Sequence, residues 1–170
     1  MNNTFVYFAY GSNMLARRLR AGDRAPSSHP IGTGYVTGRR LTFDKISVDG
    51  SGKCDIEATE NVEDRVYGVL FEIARADKDT LDRVEGLGKG YDDDIVPVVT
   101  GDGALDAVTY VAIMKDPDLK PYHWYKAFVV AGALEHGLPR AYIESLNSVE
   151  SVADPDDERR EAQQAILAGH

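Results

Sequence analysis

An apolar run near the start of the chain ends abruptly in small polar residues, and this change constrains the fold more than any other feature. Residues 5–10 are aromatic or β-branched apart from one alanine, which is typical of a buried strand rather than of a helix. Gly11 ends the run, and Ser12 or Asn13 is a suitable N-cap for a helix over residues 14–20. The pattern therefore predicts a buried strand, a tight loop and a short helix in direct succession.

Strand-like and helix-like segments alternate along the rest of the chain. Their composition predicts strands at residues 32–48, 55–59, 65–73, 91–99 and 105–114. Apolar residues at helical spacing predict helices at residues 76–84, from residue 122 onward and at 140–146. This order predicts an α+β fold with a small, mixed and mostly antiparallel β-barrel, or a strongly curved sheet, flanked by helices.

The length and the C-terminal composition indicate how the chain is divided. A chain of 170 residues fits one domain, and we assign residues 1–150 to it. Residues 151–170 begin with an acidic stretch, which the helix dipole favours at the start of a helix. We therefore expect an acidic C-terminal helix or tail that is solvated and takes no part in chemistry.

Charge, hydropathy and cysteine content exclude several classes of protein. Aspartate and glutamate number 28 against 19 lysines and arginines, giving a net charge of −9, and without a basic tract we expect no nucleic-acid partner. No run approaches the roughly 20 apolar residues of a membrane-spanning helix, so we expect no membrane partner. Cys54 is the only cysteine, which rules out an internal disulfide and a thiolate metal cluster. Since we see no export signal either, we expect a cytoplasmic protein.

Two features suggest binding or catalysis, although both also occur for purely structural reasons. The loop after Tyr10 contains a glycine that lets backbone N–H groups point into one concavity, which suits a carboxylate or a developing oxyanion. Glu85 is the last residue of a predicted helix and precedes Gly86. Its carboxylate opposes the helix dipole, and a carboxylate that readily exchanges a proton can act as general base and then as general acid.

Other catalytic patterns are missing from the sequence. The four histidines do not fall in a motif of nucleophilic catalysis by serine or cysteine. The acidic run Asp92, Asp93 and Asp94 alternates between the two faces of a strand, so these side chains do not converge as metal ligands do. We expect a solvated strand edge there and no metal site.

Three ordered motifs resemble the γ-glutamylcyclotransferase family, whose fold is also called AIG2-like. They are residues 7–14, residues 81–86 with Tyr91 behind them, and Tyr125-Lys126 before Gly132-Ala133 and residues 135–139. The resemblance continues in register from about Phe5 to Leu146. It covers most of the chain and supports the α+β expectation independently.

The resemblance implies an activity and a set of site residues. Family members release 5-oxoproline and a free amine from a small-molecule γ-glutamyl amide, because the substrate's own α-amino group attacks its side-chain carbonyl. This lyase reaction requires no cofactor, no metal and no nucleophile from the enzyme. By match to the family motif, Glu85 is the catalytic acid and base. The substrate-binding residues implied in the same way are Tyr7, Phe8, Ala9, Tyr10, Gly11, Ser12, Asn13, Tyr91 and Tyr125.

Several alternatives stay open at this point. The leaving group is an amino acid or another amine, such as the side chain of lysine, and a noncatalytic small-molecule binding module with the same fold is the rival of a different class. Asp55 and Glu57 add two carboxylates near the expected cavity and bear on which amine is accepted. The cluster at residues 123–125 forms either a lid or part of the core, and the resemblance leaves a homodimer open.

Overall fold

In the computed structural model, which describes residues 3–22 and 24–169, five strands close into a barrel. The strands of the structure are β1 (Thr4–Ala9), β2 (His29–Thr37), β3 (Arg39–Ile46), β4 (Gly52–Ala58), β5 (Arg65–Ala74), β6 (Tyr91–Thr100) and β7 (Gly103–Ala112). The barrel order is β1-β5-β2-β6-β7 with antiparallel neighbours, and a parallel pairing of β1 with β7 closes it. The predicted α+β class with a mixed, mostly antiparallel barrel is confirmed.

Helices surround the barrel and connect its strands. They are α1 (Ala16–Leu19), α2 (Lys78–Glu85), α3 (His123–Glu135), α4 (Arg140–Asn147) and α5 (Asp157–Leu167), with short 3-10 turns at Ser12–Met14 and Arg75–Asp77. The largest fully buried side chains include Phe8 of β1, Phe71 of β5 and Phe128 of α3, so the core joins the barrel to the longest helix. None of the described helices is long and apolar enough to cross a membrane.

Two local predictions are wrong. The strand predicted over residues 32–48 is two strands, because Gly38 has a φ of 68° and the chain turns there to form the separate β3–β4 sheet. The predicted N-cap at Ser12 or Asn13 does not form either. A 3-10 turn occupies Ser12–Met14, α1 starts later without a side-chain cap, and both side chains are buried.

The acidic C-terminal segment is helical, as predicted, and it is anchored at both ends. None of the described residues of α5 is buried. However, Asp154, just before the helix, is only 1% exposed. Its carboxylate accepts hydrogen bonds from Trp124 Nε1 at 2.8 Å and from Arg159 Nε at 2.7 Å. At the other end, Arg17 donates to the last carbonyls of the helix. A cation at this position is favourable, because the C-terminal end of the helix dipole is negative.

Asp154 is therefore expected to stabilise the protein through its charge. Asp154→Asn keeps the shape but weakens the bonds from Trp124 and Arg159, and we expect it to lower the free energy of unfolding by about 1.5–3 kcal/mol in urea denaturation at pH 7. Arg159 holds the pKa of Asp154 well below its usual range. The difference in the free energy of unfolding between the wild type and Asp154→Asn should thus persist above about pH 4 and decrease as the pH falls further.

A matched control is available on the surface. Glu150 pairs with Lys120 at 2.8 Å while 74% exposed, so Glu150→Gln should change the stability by less than about 0.5 kcal/mol. Equal effects of the two substitutions would contradict the anchoring role of Asp154.

Candidate active site

The loop after β1 carries an asparagine whose side chain joins two distant parts of the chain. Asn13 Nδ2 donates to Glu85 Oε1 at 2.7 Å and to Tyr7 Oη at 3.1 Å. Since a carboxylate only accepts, Glu85 fixes which end of the amide carries the nitrogen. Asn13 Oδ1 is then left buried without a hydrogen-bond partner among the described residues. Such an orphaned acceptor is costly unless a ligand satisfies it.

Glu85 lies where the sequence predicts it, at the last position of α2. Gly86 follows with a φ of 71°, a left-handed cap that glycine adopts without steric cost. The Glu85 side chain is 15% exposed, and the guanidinium of Arg24 lies 3.6 Å from its Oε1. The carboxylate is therefore fixed from one side by Asn13, has a cation on another, and still reaches solvent.

Five tyrosines surround this carboxylate in a small recess of about 30 Å³. They are Tyr7, Tyr10, Tyr91, Tyr110 and Tyr125. Two of their hydroxyls hold the backbone of β4, because Tyr91 Oη donates to the Cys54 carbonyl at 2.6 Å and the Cys54 N–H donates to Tyr125 Oη at 3.0 Å. The wall of the recess is thus tied together by hydrogen bonds between elements far apart in sequence.

Burial keeps the phenol and thiol groups of the recess neutral. It raises the pKa of Tyr7, Tyr91 and Tyr125 above the usual value, and the negative charge of Glu85 contributes in the same direction. Burial also raises the pKa of the Cys54 thiol to about 12, so a reactive thiolate does not form at neutral pH. Neutral phenols can donate hydrogen bonds without competing with Glu85 for a proton.

Comparison with known proteins decides the family. The γ-glutamylcyclotransferase of Bos taurus is 31% identical over 152 residues, which cover 86% of this chain and 79% of the bovine protein. The Homo sapiens enzyme is 30% identical with the same coverage. This chain belongs to the γ-glutamylcyclotransferase family. The family model of AIG2-like proteins matches residues 65–146. A solved structure named Gamma-glutamyl cyclotransferase superposes with a TM-score of 0.86 at 26% identity, covering 98% of this chain and 99% of that one.

This member of the family is therefore an enzyme of the cyclotransferase type, and its recess adjoins a larger space. An outer cavity of about 530 Å³ shares Ser12, Glu85, Tyr91 and Tyr125 with the recess. Glu85 consequently lies at the junction of the two spaces. A ligand that occupies both spaces lies against these four shared residues.

Most of the residues that the sequence singled out come together here. The residues among them that line the recess are Tyr7, Tyr10, Gly11, Ser12, Asn13, Glu85, Tyr91 and Tyr125. Phe8 and Ala9 lie elsewhere, because they are fully buried in the core and pair with Leu70 and Val69 of β5. Tyr110 and Arg24 were missed; neither lies in a motif, and only the fold brings them to Glu85.

The other candidate groups lie outside the site. Asp55 and Glu57 both bind Lys115, at 2.9 and 3.1 Å, and neither lines the recess or the outer cavity. They are therefore not in direct contact with either space, and their influence on the leaving amine stays a prediction. The run at residues 92–94 is an exposed strand edge, as predicted. In the cluster at residues 123–125, Trp124 and Tyr125 are each 5% exposed, which places them in the core rather than in a lid, and Tyr125 differs from Trp124 in that it also lines the recess.

The third motif holds the loop that carries Asn13. The N–H of Ala16 donates to Glu135 Oε2 at 3.0 Å, and His136 Nε2 donates to the Met14 carbonyl at 3.0 Å. Gly132 allows α3 to pack closely against the loop, because a Cβ at this position would lie only 2.6 Å from Met14 Cβ. The end of α3 thus positions the loop without touching the recess.

Gly132→Ala should therefore displace the loop. We expect the added methyl group to lower the free energy of unfolding by about 1–3 kcal/mol, measured in urea, and to reduce the catalytic rate through the shift of Asn13. Gly22→Ala is the matched control, since no atom lies within 4 Å of a Cβ there. A Gly132→Ala protein as stable and as active as the Gly22→Ala protein would show that the close approach is not required.

Proposed function

We propose that this enzyme converts a γ-glutamyl amide, in the first place a γ-glutamyl amino acid, into 5-oxoproline and the free amine, with Glu85 as acid and base. The observation that carries the proposal is the placement of Glu85. Its carboxylate is partly exposed at the junction of two spaces and is oriented by a direct hydrogen bond from Asn13. The names of the bovine and human relatives support the same reaction class.

The reaction balances with proton transfer alone. The α-amino nitrogen of the substrate forms a bond to its own side-chain carbonyl carbon, and the bond from that carbon to the leaving nitrogen breaks. Glu85 accepts the proton that the ammonium group must lose before attack and returns it to the departing nitrogen. The second proton, which the attacking nitrogen loses as it becomes the ring amide, passes to the freed amine, which leaves as an ammonium ion. Because attacking and attacked groups belong to one molecule, the protein mainly has to hold the glutamyl chain in a bent, near-attack shape.

The loop at residues 11–13 is suited to that task. The orphaned Asn13 Oδ1 accepts a hydrogen bond from the substrate ammonium, which brings the reacting nitrogen next to Glu85. The N–H groups that begin the 3-10 turn lack acceptors within the turn, and we assign them to the carbonyl oxygen as it becomes an oxyanion. The recess is small, so only one end of the glutamyl unit enters it, while Tyr91 and Tyr125 orient the remainder at the junction.

Glu85→Gln tests the assignment of the acid and base. The amide keeps the size of the side chain but cannot accept the substrate proton, so we expect turnover to fall by about 10²- to 10⁴-fold. The readout is 5-oxoproline released from γ-glutamyl amino acids, quantified by mass spectrometry with no metal added. The exposed Glu63 supplies the control, because Glu63→Gln should retain full activity. A Glu85→Gln rate near that of the wild type would falsify the role of Glu85.

Asn13→Ala tests the positioning of Glu85 and of the substrate ammonium. The hydrogen bond from Asn13 to Glu85 and the proposed one from the substrate ammonium to Asn13 each involve a charged group. We therefore expect kcat/KM to fall by about 10- to 100-fold. The far-ultraviolet circular dichroism spectrum checks that the variant is folded. If the folded variant works within twofold of the wild type, Asn13 does not hold the reacting groups.

A panel of compounds separates the remaining alternatives. γ-Glutamyl amino acids, other γ-glutamyl amines including γ-glutamyl-lysine, and glutathione differ only in the amine that leaves. Release of 5-oxoproline from a single class identifies the substrate, whereas binding of 5-oxoproline in a calorimeter without turnover of any compound would indicate a binding module. Cytoplasmic location and a homodimer stay predictions from the sequence.

A further inference from the structure

The outer cavity is strongly cationic although the chain as a whole carries a net charge of −9. Among the described residues that line it, six are arginine or lysine, and Glu85 supplies the one carboxylate. The six are Arg18, Arg24, Lys45, Lys53, Arg83 and Lys89. An acidic protein that gathers so many cations around one cavity concentrates positive potential where the low-dielectric walls focus it.

Carboxylates of the protein offset only part of this charge. Lys53 Nζ binds Asp49 Oδ2 at 3.0 Å, and Arg24 lies 3.6 Å from Glu85. In contrast, Arg18 is 7% exposed and donates to two neutral oxygens, Ser12 Oγ at 3.1 Å and Gln163 Oε1 at 2.9 Å.

Lys45, like Arg18, contacts a neutral group rather than a carboxylate. Its Nζ lies 4.6 Å from the centre of the Tyr91 ring, a contact with a neutral group. It also rests against the backbone of Gly90, where a Cβ would lie 2.8 Å from this nitrogen. Within residues 3–22 and 24–169, neither Arg18 nor Lys45 forms an ion pair. Both cations therefore lie in the wall without a carboxylate at ion-pair distance, and the nearest opposite charges, Glu85 for both and Asp49 for Lys45, act on them from further away.

Partial loss of water makes these cations receptive to an anion. Burial lowers the pKa of all three buried or half-buried cations. The pKa of Lys45 falls below its usual value, that of Lys53 falls to about 8, and that of Arg18 falls to about 9. Lys53 and Arg18 remain mostly protonated at pH 7. A desolvated charge without a partner is unfavourable, and an anionic ligand that supplies the partner relieves this cost.

The chemistry of the reaction decides which part of a substrate meets these cations. Glu85 must return its proton to the leaving nitrogen, so this nitrogen lies at the junction of recess and outer cavity. With the glutamyl unit at the recess, the rest of the leaving amine extends into the outer cavity. The volume of about 530 Å³ falls in the range of small-molecule sites. A single carboxylate would leave several of the cations unmatched.

We infer that, given the proposed function, the outer cavity is a leaving-group subsite that selects amines carrying two or more negatively charged groups, with Lys45 as a specificity-determining residue. Carboxylate and phosphate groups share this chemistry, and an amino acid with an acidic or phosphorylated side chain provides the required charge. Amino acids with neutral side chains and uncharged amines fit the subsite less well.

Four γ-glutamyl compounds test the inference on the purified wild-type enzyme. γ-Glutamyl-glutamate and γ-glutamyl-O-phosphoserine carry at least two negative charges on the leaving group, γ-glutamyl-glutamine carries one, and γ-glutamyl-butylamine carries none. We expect kcat/KM for the glutamate compound to exceed that for the nearly isosteric glutamine compound by about 10-fold at low salt, mainly through KM. The ratio should decrease in 0.5 M NaCl, because salt screens charge attraction. Whether the glutamate or the phosphoserine compound has the higher kcat/KM identifies the preferred anion, and the comparison with the glutamine compound decides whether the subsite exists.

Variants connect the preference to the cavity. Lys45→Gln should lower the glutamate-to-glutamine ratio by about fivefold or more, and a ratio is insensitive to a general loss of folded protein. Lys120→Gln is the matched control, since Lys120 pairs with Glu150 on the surface and should leave the ratio unchanged. Equal kcat/KM values for the glutamate and glutamine compounds, or a ratio unaffected by Lys45→Gln, would overturn the subsite while the cyclisation stands. No 5-oxoproline from any compound would overturn the proposed function itself.

Discussion

The hydrogen bond from Asn13 Nδ2 to Glu85 Oε1, 2.7 Å long, joins residues 72 positions apart, and the arrangement of the site depends on it. One partner stands on the loop that leaves β1, and the other ends α2. Neither side chain is oriented by its own element, because Asn13 caps no helix and Glu85 is the last residue of one. Asn13 also contacts Tyr7 at 3.1 Å and Glu85 also faces Arg24 at 3.6 Å, and the bond between Asn13 and Glu85 is the shortest of these contacts. The same bond turns the free oxygen of the amide away from the carboxylate, so one interaction sets two polar groups for a substrate.

A second layer of contacts holds this pair in place. The end of α3 binds the loop from outside through Gly132, Glu135 and His136, while Tyr91 and Tyr125 fix β4 across the recess. Close packing leaves little freedom for such groups to shift independently. Residues 132–136 of the third motif therefore act by holding the loop in place, which explains why they lie near Asn13 without lining the recess.

The sequence predicted the fold class, the main strands and the end of α2 because these depend on local composition and on Gly86. It failed where long-range partners compete with local preference. Ser12 and Asn13 favour an N-cap in isolation, yet Arg18 and Glu85 draw their side chains into the site instead. A sequence motif also does not show which of its side chains face the site and which face the core. Phe8 and Ala9 lie in the same motif as Asn13 but are fully buried in the core.

The net charge of the chain does not predict the local charge of the outer cavity. The value of −9 describes the chain as a whole. A ligand in a cavity experiences mainly the nearest charges, because more distant ones are screened within about 10 Å at moderate salt. The cations of the outer cavity come from four separate parts of the chain, which are α1 with Arg24 after it, β3, β4 and residues 83–89. No window of the sequence contains them all. Their convergence is therefore a property of the barrel and its connections, and an acidic chain can still hold a site suited to an anionic leaving group.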